Sequence, residues 1–152
     1  MLATLWLGLL EAEEGDVHAR DSLARALALA REIGFYRAEA LALALSARLS
    51  HARGERTAAE RESAEALRLL ERHGAELTDR IVIAGTRALL LAAHGEIAAA
   101  GRVRRQLERR VRAGHGRLRT AELRAAQELY TGRLLRTVLD VDGPVFPRRA
   151  SM

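Results

Sequence analysis

The chain has 152 residues, 49% hydrophobic but only 3% aromatic, with a formal net charge of +5 and no cysteine. This length supports one domain with a real core. The lack of cysteine excludes disulfides, zinc ribbons and thiol nucleophiles, and with Pro144 and Pro147 as its only prolines, nothing before residue 144 forbids helix. All 25 basic residues are arginine, and lysine and asparagine are absent; codon usage in a high-GC genome produces that bias, so the basic balance is read as mostly compositional.

Alanine and leucine supply most of the apolar content, β-branched residues are sparse, and the expectation is all-α. In chain order, helices are expected at 2–14, 17–33, 36–53, 56–73, 79–94, 97–113 and 118–131, with a short one at 133–140. The first, "LATLWLGLL", is apolar nearly all round and has no capping residue before it. Its apolar run is too short for a membrane span and lacks the basic start and cleavage site of a signal peptide, so a soluble, cytoplasmic chain is expected. Residues 17–33 place Leu23, Ala26, Leu27, Ala30 and Ile33 on one face. Residues 56–73 place Ser63, Ala66, Leu67 and Leu70 in matching positions, and 97–113 narrow to Ala99, Val103, Leu107 and Val111. The segment 141–152 holds both prolines and reads as an irregular tail.

Glycine followed by an acid recurs as Gly15-Asp16, Gly54-Glu55 and Gly95-Glu96, the glycines 39 and 41 residues apart. Alanine follows four residues after each glycine (Ala19, Ala58, Ala99), and a small residue precedes each by seven (Gly8, Ala47, Ala88). Further glycines, Gly34, Gly74 and Gly114, follow about twenty residues later. Glycine ends a helix in the left-handed conformation without steric cost. An acid in the first turn of the next helix suits its dipole. Each glycine–acid pair therefore reads as the turn of a helical hairpin, and each later glycine as its end. Thr57 and Glu60 have capping-box spacing. A fourth copy, with Ala125 seven before Gly132, is degenerate.

The run Leu5–Gly8, the turn glycines and the small residues at Ala19, Ala47, Ala88 and Ala125 resemble the tetratricopeptide repeat (TPR) over roughly residues 1–140. The period is nearer 40 than 34, Glu11, Ser50, Leu91 and Glu128 stand where the repeat has tyrosine, and its closing proline is absent. The resemblance implies a TPR-like α-α solenoid of three hairpins and a degenerate fourth, of the kind found in large bacterial regulatory and signalling proteins. It implies a protein–protein interaction scaffold for a peptide or partner helix, and a chain that is the C-terminal part of a larger regulator. Partner contacts are then expected at Glu13, Arg48, His51, Thr86, Leu89, Arg119, Glu122 and Tyr130. The all-round apolar first helix is expected to be covered by an upstream domain or a second copy.

No constellation for catalysis, metal or cofactor binding stands out, so neither an enzyme nor a cofactor is expected. Of five histidines, His51, His73, His94 and His115 fall at helix ends and read as C-terminal caps. The strongest charge feature is residues 101–119. Residues 1–100 carry 12 arginines and 15 acids, a balance of −3, while 101–152 carry 13 and 5, a balance of +8. Arg102, Arg105, Arg109 and Arg112 share one helix face. That ridge reads as a solvated face, as a surface for an acidic protein, or as a phosphate-binding surface of a nucleic-acid adaptor, though no aromatic platform for bases accompanies it.

Overall fold

The computed structural model describes residues 18–115. The expected helices at 2–14, 118–131 and 133–140, the Gly15-Asp16 turn, the fourth repeat and the tail lie outside the described residues. Within them stand five helices and no strand: α1 (Ala19–Glu32), α2 (Tyr36–Ala52), α3 (Arg56–His73), α4 (Leu77–Ala93) and α5 (Ile97–His115). No helix among these residues is long and apolar enough to cross a membrane.

Helix ends follow the glycines. Gly34, Gly54, Gly74 and Gly95 all have positive φ, between 68° and 86°. After α2, the Gly54 N–H donates to the His51 carbonyl (2.9 Å) and the Glu55 N–H to that of Ser50 (2.9 Å). After α4 the same pair of bonds recurs, Gly95 to Ala92 (3.0 Å) and Glu96 to Leu91 (2.8 Å). This is the Schellman closure, which satisfies carbonyls that the ended helix leaves open.

Four local expectations are corrected. Gly114 does not end α5, which runs on to His115. A Cβ at Gly114 would lie 3.2 Å from Leu77 Cδ2, so this glycine serves a close approach between α5 and the start of α4. The acids at Glu55 and Glu96 sit at the N-cap, one place before the first turn. Thr57 and Glu60 form no capping box; the N-cap of α3 is Glu55, and Glu60 points elsewhere. Ile33, expected on the buried face of α1, lies in the turn and is exposed.

Helix α2 packs against α1, α3 and α4, and α4 packs against α2, α3 and α5; the backbones of α1, α3 and α5 do not approach one another. Two central helices thus share one layer and three outer helices the other. The main core joins Leu43, Ala44, Ala66, Leu70, Ile81 and Leu107 across α2, α3, α4 and α5. A second cluster fastens α1 through Leu23 and Ala26 to Ala42 and Leu45 of α2. A third packs Ala47 and Ala59 against Leu89 and Leu90. The expected faces hold elsewhere: Leu23, Ala26 and Ala30 of α1, Ser63, Ala66 and Leu70 of α3, and Leu107 and Val111 of α5 are buried.

Candidate functional site

Alanine-rich α2 lets its neighbours approach closely, and this decides which expected contact residues remain accessible. Thr86 is fully buried, and its hydroxyl has no partner; Leu89 is 6% exposed and belongs to the third core cluster. Neither offers its side chain to a partner, a correction to the expected contact set. The reason is that α4 is covered by three neighbours, a property of packing that a helix-position rule does not contain. Arg48 is also buried. His51 is half-buried and remains reachable. Glu13, Arg119, Glu122 and Tyr130 lie outside the described residues.

His51 sits in the last turn of α2 and His94 at the C-cap of α4, because both helices end at the same kind of glycine turn. Their rings lie 5.5 Å apart, tilted by 57°. His94 Nδ1 is 2.9 Å from Glu60 Oε1 of α3, close enough to pair with the carboxylate when the ring is protonated. Arg56 donates to Glu60 Oε1 at 3.0 Å and to the His94 carbonyl at 3.3 Å. Burial, and then the charges of His94 and Arg48, hold the His51 imidazole below its usual pKa. The hydrogen bond from Arg56 holds Glu60 below the usual carboxylate range. The histidines expected as simple helix caps therefore tie α2, α3 and α4 together. At the opposite end, His73 stacks on Tyr36 with ring centroids 3.7 Å apart.

Acids at the helix starts also reach across the fold. Arg20 of α1 pairs with the N-cap Glu55 at 3.0 Å, and Arg37 of α2 pairs with the N-cap Glu76 at 3.0 Å. Arg37 also grips Asp79, whose buried carboxyl is pushed above its usual range by burial, against the opposing hydrogen bond from Arg37. These links escaped sequence reading; the available signal was an acid directly after each turn and an arginine some 35 to 39 residues earlier.

The expected ridge is present: Arg102, Arg105, Arg109 and Arg112 are all exposed on α5. The only acid on this helix, Glu108, accepts from Arg104 at 3.0 Å. Beside the ridge, between α3 and α5 and over α4, lies a shallow open groove with about 280 Å³ of free space. Much of that space is open to solvent, so the groove is a surface dip rather than a cavity. Among the described residues no group of three His, Cys, Asp or Glu is placed to hold a metal ion.

Comparison with protein-family models, with curated proteins and with solved structures finds no match.

Proposed function

We propose that this chain is a protein–protein interaction module, a TPR-like helical scaffold that holds a peptide or partner helix, as the C-terminal part of a larger bacterial regulator. One observation carries the reading: the pairs α2–α3 and α4–α5 are each joined by the same glycine closure, at Gly54 and Gly95, and pack on one another, and that closure also ends α1 at Gly34. Repetition of one hairpin unit, each packed on the next, is the physical basis of a solenoid. Its use is to offer an extended surface to another chain. His51, at the accessible end of α2, is the contact residue of the described segment; Glu13, Arg119, Glu122 and Tyr130 are the contacts expected at the matching repeat positions outside it.

Peptide display against the whole chain tests this, with the footprint of a selected peptide mapped by hydrogen exchange. Protection around His51 and at the ends of α2 and α4 is expected, with His51→Glu weakening binding at least about tenfold, as for loss of a well-placed contact. No peptide selected above an unrelated helical bundle, or a footprint confined to α1, α3 and α5, refutes it. The coding sequence upstream of Met1 tests the parentage: a continuous kinase, ATPase or DNA-binding domain is expected.

The exposed arginine ridge favours a second reading, a nucleic-acid-binding adaptor. Four phosphate contacts would make affinity fall roughly a hundredfold between 50 and 200 mM salt. Arg105→Glu with Arg109→Glu would abolish it; duplex binding that ignores salt, or its absence, removes this reading.

A further inference from the structure

The two ends of the helix layers are closed by ring contacts of different kinds. At the end with the Gly34 and Gly74 turns, His73 stacks on the phenol ring of Tyr36. At the end with the Gly54 and Gly95 turns, histidine meets histidine: the His51 and His94 rings lie 5.5 Å apart. His94 is only 7% exposed and His51 half-buried, so water does little to screen charge placed between them. Among the described residues, the carboxylate paired with this couple is Glu60 of α3, 2.9 Å from His94 Nδ1 and shared with Arg56 at 3.0 Å. The charge of Arg48, on α2 itself, acts on His51. Arg87 of α4 is turned to α3, donating to the Glu60 carbonyl at 3.3 Å and to Ser63 at 3.1 Å. Arg20 of α1 is held by Glu55, and Glu96 before α5 is exposed. One proton on the couple is thus matched by Glu60, and a second is matched by nothing.

We propose that the His51–His94 couple is a proton-operated latch: with at most one proton it holds the ends of α2 and α4 together, and with two it lets them part. Two imidazolium rings 5.5 Å apart, beside the Arg48 and Arg56 guanidiniums, repel more than one shared carboxylate offsets. The closed fold already holds the His51 imidazole below its ordinary range, so the parted ends bind the second proton in preference to the closed ones. The unit that parts is small. Ala47 and Leu90 lie one turn inside the two closures, and with Ala59 and Leu89 they form a cluster separate from the main core. Opening so small a unit takes less free energy than unfolding the chain. The latch deepens the peptide-capture reading and rests on it in one respect: His51 and these helix ends are the proposed contact surface, so acid releases the partner. The opening itself belongs to the chain alone.

Hydrogen exchange of the whole chain without peptide, at about pH 7.5 and about pH 5.5, brackets the histidine range and tests the latch. Each amide is read as protection over its intrinsic rate. In acid, the amides of Gly54, His94 and Gly95, which close the two helix ends, are expected to lose protection at least about tenfold, as repulsion between close charges dictates. The amides of Phe35 and Gly74, in the closures of the opposite end, are expected to keep theirs. His51→Gln/His94→Gln is expected to hold its protection at both pH values. Where circular dichroism shows that double variant unfolded, His51→Gln alone, at a half-buried position, gives the same result, since the couple can no longer carry two charges. His73→Gln is expected to respond as wild type does. Unchanged protection at Gly54 and Gly95 in acid overturns the proposal. So does an equal loss at Phe35 and Gly74, or a loss that persists in His51→Gln. With no peptide present, this result stands or falls apart from peptide capture.

Discussion

Helix α2 buries ten of its 17 residues, whereas α3, at 18 residues, buries only Ala59, Ser63, Ala66 and Leu70. Helix α4 resembles α2, with ten buried positions from Asp79 to Leu91. The difference is one of surroundings. A central helix meets three others and needs small residues on several sides, so alanine fills α2 and even Glu39 and Arg48 are enclosed. An outer helix meets two at most and keeps a single apolar stripe, its other face free for charge. Stability should therefore reside in the central pair, and charge-dependent behaviour in the outer three.

The largest effect that could break this comparison is core truncation. Leu90→Ala in α4, at a fully buried site, is expected to cost about 2–5 kcal/mol in urea unfolding. Leu69→Ala in α3, only partly buried, is expected to cost under about 1.5 kcal/mol because it leaves little cavity. Equal costs would mean that the layers do not differ. Next come the glycines. Gly95 has φ of 86°, and Gly95→Ala is expected to destabilise by about 1–2 kcal/mol. Gly101 lies inside α5 without positive φ, and a Cβ there meets only the mobile end of Arg105 at 3.2 Å. Gly101→Ala is therefore expected to stabilise by up to about 1 kcal/mol, and the opposite signs are read from thermal midpoints of the two variants.

Two pH effects sharpen the contrast further. The folded chain holds His51 below its ordinary value of 6.5, so the unfolded chain binds more protons as pH falls. Stability should drop as pH falls below about 6.5, and His51→Gln should flatten that slope. Glu62 on α3 behaves in the opposite sense: burial raises it above 4.5, so its contribution worsens as pH rises through the raised value. Glu62→Gln should thus be slightly more stable than wild type at pH 7, by under about 1 kcal/mol for a half-exposed group. The two proteins should converge at about pH 3, well below the ordinary value of 4.5, where both states carry the proton. Urea midpoints across this range test both signs; a wild type that is the more stable at pH 7 would show that the Ser50–Glu62 hydrogen bond outweighs burial.

Sequence alone determined the helical class, the turn glycines and the bounds of α3, because these depend on propensity and on closures within a few residues. It also determined the exposed arginine face of α5, since helical period fixes which residues share a side. Only the tertiary structure decided which helices are central. That single fact encloses Thr86 and Leu89, carries α5 through Gly114 where Leu77 packs against it, and turns the N-cap acids toward arginines two helices away. A residue's burial and its ionic partner depend on neighbours distant in the chain, and local pattern holds no record of them.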